Sequence, residues 1–302
     1  MRIAVVGAGT VGLSWAALFS AKGHDVLVND PRPDLLELVE ATARELGDVL
    51  PGDLLARMHV EPDLDAAVTG VDLVQETGPE VLALKQDLFV RIEAAAPHEA
   101  LLLSSTSGLM PSAMGAKMRE PGRVLVGHPF NPPHVVPLVE VVPGAQTPPE
   151  LAQAAADFYR SLGKVPVVLR KEIGGFVANR LQSAVFRESV HLVLAGVVTP
   201  EELDQVVTES VGVRWATAGP FESYHLGGGP AGIRTLLEKL GPGMAERWKD
   251  LGRPELTPEV VEVISTSTEQ RFADWDYGSR TAERDRVQLA VLAAREQARR
   301  EE

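Results

Sequence analysis

Two side chains dominate any search of this sequence for chemistry, His128 and Glu140. His128 ends the apolar run Arg123 to Gly127 and is followed by Pro129-Phe130-Asn131-Pro132-Pro133, a stiff segment with few free backbone N–H groups. Glu140 stands alone in the apolar strand Leu138-Val139-Glu140-Val141-Val142, where an isolated buried carboxylate would be costly without a partner. An imidazole is the natural partner. A carboxylate on one ring nitrogen fixes the tautomer and stabilises the imidazolium, leaving the other nitrogen to take a proton from a hydroxyl. The same pair equally suits a satisfied core histidine, so the residues by themselves leave both readings open. His24, His59, His98 and His191 read as surface or helix-face residues.

Ser104-Ser105-Thr106-Ser107-Gly108 ends another apolar run and presents hydroxyls at a strand end, although Ser105 and Thr106 also suit capping of a helix at Pro111-Ser112. Asn179 is a polar residue inside the apolar pattern after Gly174-Gly175, which makes it an interdomain hydrogen bond or a substrate contact.

Proton transfer needs a complement, and the first residues supply one. Gly7-Ala8-Gly9-Thr10-Val11-Gly12 follows a strand and opens a helix expected over Val11 to Ala21. In that context Gly7 allows a tight turn, Gly9 lets the backbone approach a pyrophosphate, and Gly12 lets helix pack on strand. The N–H groups of Thr10 and Val11 then open the helix toward negative charge. Asp30, about 20 residues on at the end of Val26-Leu27-Val28-Asn29, is placed to bond ribose hydroxyls, and it would repel a 2′-phosphate. NAD is therefore expected over NADP. Arg32 suits either a 2′-phosphate or, better, stacking on the adenine. Glu76 ends a further strand of the same kind and is placed with the cofactor group.

The elements that must hold these residues alternate. Ile3 to Val6, Val26 to Asn29, Leu73 to Glu76, Leu101 to Ser105, Val124 to Val126, Leu138 to Val142 and Val165 to Val168 read as strands, with helical patterns between most of them. Pro33-Asp34, Pro79-Glu80 and Pro148-Pro149-Glu150 each put proline and acid in a first helical turn. This predicts an α/β domain, residues 1–172, with a Rossmann-type, mainly parallel sheet. Beyond Glu172 the pattern becomes helical only: Gly174 to Ala195 is apolar at helical spacing, and Thr199-Pro200-Glu201-Glu202 starts another helix. Gly227-Gly228-Gly229-Pro230 and Gly241-Pro242-Gly243 are expected to break helices, and Arg280 to Glu302 reads as a solvated terminal helix. Residues 173–302 are thus an all-helical second domain.

The chain has 302 residues, 45% of them apolar, and a net charge of −13, and it lacks any basic stripe, so nucleic-acid binding is not expected. No run of apolar residues is long enough for a membrane span. The absence of cysteine excludes disulfides, thiolate metal sites and a cysteine nucleophile, and no metal site is expected. The strand already present at Arg2 leaves no room for a signal peptide, which predicts a cytoplasmic protein.

Taken together, Ser104-Ser105-Thr106-Ser107-Gly108, His128-Pro129-Phe130-Asn131-Pro132-Pro133, Leu138-Val139-Glu140-Val141 and Gly175-Phe176-Val177-Ala178-Asn179-Arg180 resemble the 3-hydroxyacyl-CoA dehydrogenase superfamily from Gly7 to about Arg271. Within it the sequence looks most like the L-gulonate 3-dehydrogenase and lambda-crystallin group, also through Gly212-Val213-Arg214-Trp215-Ala216 and Gly219-Pro220-Phe221-Glu222. Gly108, Trp215 and Gly227-Gly228-Gly229 depart from that group's pattern. The resemblance implies that His128 is the base, Glu140 its orienter, Ser107 a ligand of the substrate oxygen and Asn179 a residue holding substrate and histidine in register. It also implies a helical second domain that carries substrate contacts and dimerises. Acyl-CoA members of the superfamily carry a longer, lysine-rich helical insertion where this chain runs from Asp34 to Asp72 with ten acidic side chains against Arg44 and Arg57. They also generally lack an arginine at Arg214, whose planar fork suits a free carboxylate, although a surface arginine is the equal alternative. The expected reaction is NAD-dependent oxidation of a small free 3-hydroxy acid resembling L-gulonate. Short-chain 3-hydroxyacyl-CoA and L-carnitine are the alternative substrates, the latter with Trp215, Phe221 and Tyr224 as cage candidates for its cation. A non-catalytic NAD-binding protein of the crystallin kind is the alternative outside enzymology.

Overall fold

A computed structural model of the chain describes residues 1–301, which divide into two compact units, one from Met1 to Arg180 and one from Leu181 onward. The first unit is built on an eight-stranded sheet: β1 Arg2–Val6, β2 Asp25–Asn29, β3 Met58–Val60, β4 Leu73–Glu76, β5 Leu101–Ser104, β6 Val124–Pro129, β7 Leu138–Pro143 and β8 Val165–Val168. The strand order is β3-β2-β1-β4-β5-β6-β7-β8, and every pairing is parallel except β6 with β7. The order reverses at β1 and β4, and their carboxyl ends flank the crevice where such sheets bind ligands.

Helices cover both faces. They are α1 Thr10–Ala21, α2 Leu35–Leu46, α3 Leu64–Val68, α4 Leu82–Ala95, α5 Pro111–Met114 and α6 Pro149–Ser161. Because side chains alternate along a strand, Ile3 and Val5 join one core cluster with Trp15 and Phe19 of α1 and Phe158 and Tyr159 of α6. Ala4 and Val6 join the other, with Phe89 and Ile92 of α4 and Met114 of α5.

α7, Ala178–Leu194, begins in the first unit and continues into the second. The second unit goes on with α8 Pro200–Val206, a π-helical turn Val207–Gly212, α9 Val213–Thr217, α10 Pro220–Gly227, α11 Gly232–Asp250, α12 Pro258–Phe272 and α13 Tyr277–Arg300. Thr199 closes a capping box with Glu202 at the start of α8, as its sequence predicts. Three expectations are corrected. Strand β3 was missed, being only three residues long. The helix expected from Gly174 starts at Ala178, because Gly174 to Val177 form a turn with Phe176 at φ +50°. Gly241-Pro242-Gly243 does not break a helix: α11 runs through Pro242. Pro242 and the Glu238 carbonyl whose bond it removes are both on exposed residues, so water can replace that bond.

Candidate active site

The glycine turn is held by contacts that tolerate no side chain at two of its three glycines. Gly7 has φ +110°, and a Cβ there would meet the Thr77 backbone at 2.8 Å. A Cβ on Gly12 would collide with the Gly7 carbonyl oxygen and stand 2.5 Å from Thr77 Oγ1, which itself donates to the Gly7 carbonyl at 2.7 Å. Gly9, by contrast, has open space above it and caps α1 without a side-chain bond. That leaves the N–H groups of the first turn, at Thr10 and Val11, free to receive a pyrophosphate. Asp30 lies beside this turn, accepting from the Ala8 N–H at 2.8 Å and from the Arg32 N–H at 3.1 Å. The Arg32 guanidinium is forked onto Asp34 at 2.6 and 2.9 Å, which raises its own pKa and lowers that of Asp34. A 2′-phosphate would therefore meet the Asp30 carboxylate and an arginine already engaged by Asp34. The turn fits NAD.

Antiparallel pairing of β6 with β7 places His128 directly opposite Glu140, on the same face of the sheet. His128 Nδ1 and Glu140 Oε2 are 2.9 Å apart, and both side chains are buried, at 6% and 2% exposure. The other carboxylate oxygen, Oε1, accepts the N–H groups of Val177 and Ala178 at 2.8 and 3.0 Å. The left-handed backbone of buried Phe176 aims those two N–H groups, and its ring lies 5.3 Å from the His128 ring. Burial pushes the Glu140 pKa up, but the bonds from His128, Ala178 and Val177 outweigh it and hold the carboxyl below its ordinary value. Among the described residues His128 Nε2 has no hydrogen-bond partner. The arrangement is an oriented imidazole with one nitrogen left to exchange a proton.

Ser107 and Asn179 meet here: Asn179 Nδ2 donates to the Ser107 carbonyl at 3.1 Å, and the Ser107 side chain is exposed. From the other side Glu80 accepts the N–H groups of Ser107 and Gly108, at 3.1 and 3.2 Å, and the Thr106 hydroxyl. Glu80 was read as the first turn of a helix. That helix starts only at Leu82, so Glu80 lies in the loop before it and braces the serine segment. Neither Ser105 nor Thr106 caps α5. Thr106 Oγ1 accepts from Leu109 N–H within its own turn, and Ser105 Oγ accepts from Trp15 Nε1 and Gln75 Nε2. Glu76 is the correction among the cofactor residues. It is fully buried, its oxygens taken by Lys85 at 2.6 Å, Gly78 N–H at 2.6 Å and Ser104 Oγ at 2.5 Å, so it supports the crevice from below and offers a cofactor no free oxygen. Burial pushes its pKa up, against the opposing pull of Lys85. Arg214 lies in the second unit, exposed on α9 and without an ion-pair partner among the described residues. Trp215, Phe221 and Tyr224 are also exposed there, at 46%, 82% and 43%.

Residues 2–173 match the NAD-binding domain of 3-hydroxyacyl-CoA dehydrogenase, and residues 175–274 match its C-terminal domain. The chain belongs to the 3-hydroxyacyl-CoA dehydrogenase family. It is an NAD-dependent dehydrogenase. Within the family it is 40% identical to an L-carnitine dehydrogenase of Streptomyces griseus subsp. griseus, over 97% of this chain and 89% of that one. An L-carnitine dehydrogenase of Burkholderia mallei is 39% identical over 96% of this chain and 92% of its own length. Among solved structures, an NAD⁺-dependent dismutase, 5-formyl-3-hydroxy-2-methylpyridine 4-carboxylic acid 5-dehydrogenase, superposes with a TM-score of 0.81 at 30% identity, covering 98% of both chains. No helix among the described residues is long and apolar enough to cross a membrane.

Proposed function

We propose that this dehydrogenase oxidises the 3-hydroxyl of a small free 3-hydroxy acid, L-carnitine ahead of L-gulonate, to the 3-oxo acid. The observation that carries the chemistry is the buried His128–Glu140 pair with Nε2 of His128 unbonded. Bound NAD supplies the hydride acceptor. His128 takes the hydroxyl proton on Nε2 as the carbon–hydrogen bond gives up its electron pair as hydride, and the carbon–oxygen bond becomes a carbonyl. Glu140 balances the imidazolium that forms. Ser107 and Asn179, joined through the Ser107 carbonyl, are proposed to hold the substrate oxygen, and Arg214 its carboxylate.

The choice of carnitine over gulonate rests on the names of the similar curated enzymes. A free acid over a coenzyme A thioester is supported by the acidic run from Asp34 to Asp72, which offers little to neutralise coenzyme A phosphates. A homodimer is part of the proposal. Among the described residues of the second unit only Val190 and Leu236 are buried large apolar side chains, while Phe186, Phe221, Leu226 and Trp248 are more than half exposed. Such a surface wants a partner. His128→Gln is the test of the chemistry. Turnover of a hydroxy acid should fall by about 10²–10⁴-fold with NADH affinity unchanged, and a variant within tenfold of the parent removes His128 from the reaction.

A further inference from the structure

Lys164 stands between α6 and β8, and its side chain runs inward until the residue is only 7% exposed. No carboxylate among the described residues meets its ammonium. Instead Nζ donates to the carbonyl oxygens of Pro133 and, at 2.8 Å, of Val136, and it lies 5.6 Å from the centroid of the Trp15 ring on α1. The two carbonyls belong to the segment that joins β6 to β7. Prolines at 129, 132, 133 and 137 leave that segment short of N–H groups, so its carbonyls must be satisfied from outside. The segment is latched to α1 a second time, through Ser14: its Oγ is 2.9 Å from His134 Nδ1 and accepts the His134 N–H at 3.1 Å. At its start are His128 itself and Phe130, whose ring lies edge-on to the imidazole at 5.6 Å.

A buried cation whose partners are two neutral carbonyls and an aromatic ring, with Lys22 repelling it, is an expensive way to fill space, since an apolar side chain of similar volume would avoid the desolvation. What an apolar side chain cannot do is bind two carbonyls at once. We propose that Lys164 is a positioning residue, whose ammonium fastens the 129–137 segment over α1 and so sets the His128 imidazole relative to the helix that receives the dinucleotide. The inference rests on the reaction proposed above for His128. Misplacement by about 1 Å can cost on the order of 10²-fold in rate, which sets the scale of the effect.

The test is Lys164→Met, close in volume and without donors, with Lys164→Gln, which keeps two N–H groups, beside it. Hydrogen exchange, NADH affinity and steady-state kinetics on L-carnitine are measured for both. The expected result for the Met variant is unchanged or raised thermal stability and NADH affinity within about twofold of the parent. Exchange should be faster in residues 129–137 and not elsewhere, and the loss of about 10–10²-fold should fall on kcat rather than KM. The Gln variant should recover part of both changes. Parental exchange and kcat in a folded Met variant overturn the proposal, and so does loss of folding in both variants, which makes Lys164 a structural residue only. Exchange and NADH binding need no substrate, so failure of the wild-type enzyme to oxidise L-carnitine leaves this test intact.

Discussion

Glu140→Gln removes one charge and almost no volume, and the two-sided use of the carboxylate makes its consequence calculable. Oε2 faces His128 Nδ1 at 2.9 Å while Oε1 accepts Val177 and Ala178 N–H at 2.8 and 3.0 Å. A glutamine has one oxygen for these two duties. If its oxygen keeps the backbone N–H groups, its NH₂ faces the imidazole, and His128 must turn Nδ1 into an acceptor and carry its proton on Nε2. That tautomer cannot take a proton from a substrate, and the same swap in a serine-protease triad costs on the order of 10⁴-fold in kcat. If the amide turns over, the NH₂ confronts two N–H donors, and at roughly 1.5–3 kcal/mol for each bond to a charged group the fold loses on the order of 3–6 kcal/mol. The first arrangement loses fewer bonds. Glu140→Gln should therefore fold and bind NADH normally while its kcat falls by about 10³–10⁴-fold, and nitrogen-15 shifts of the imidazole should report the exchanged tautomer. Activity within tenfold of the parent, with the parental tautomer, would refute the assignment of Glu140. A matching pH effect follows from its lowered pKa. A carboxyl held below its unfolded value contributes stability that is fully present above that value, near 4.5, and lost as pH falls through the folded one, so the pair survives mild acid.

Lys164 gives a dependence of the same sign in an alkaline window. Burial, helped by Lys22, pushes its ammonium from 10.5 down to about 8, so between those values the unfolded chain holds the extra proton. Stability attributable to this site should rise by about 3 kcal/mol as pH climbs through that window, read as the difference between wild type and Lys164→Met in denaturant titrations; parallel profiles would contradict it. Arg214→Met should raise KM for a free hydroxy acid by about tenfold or more with KM for NAD unchanged. An unchanged substrate KM returns Arg214 to the protein surface.

Much of this site was readable in the sequence because strands and glycine turns impose short, rigid spacings. Gly7 and Gly12 follow β1 by geometry that few other residues permit, and Asp30 marks the end of β2. His128 and Glu140 announced themselves as polar residues at apolar strand positions, and the antiparallel register explains why they meet. The contacts that the sequence does not show act across the chain. Glu80 reaches the Ser107 segment from a loop 27 residues earlier, and Lys164 reaches Pro133 from 31 residues later, neither within any periodicity. Glu76 was misread because a strand end says nothing about whether a carboxylate points at a ligand or at Lys85. Pro242 shows that a breaker signal depends on solvent: in an exposed helix the orphaned carbonyl has water to turn to.

The central claim, oxidation of a free 3-hydroxy acid with NAD, is tested most directly by NADH formation from L-carnitine, L-gulonate, 3-hydroxybutyrate and 3-hydroxybutyryl-CoA, each with NAD and with NADP. The account predicts the highest kcat/KM for L-carnitine with NAD, weaker turnover of the other free acids, and little reaction with NADP. Preference for the coenzyme A thioester, or tight NADH binding with no turnover of any of the four, would contradict it.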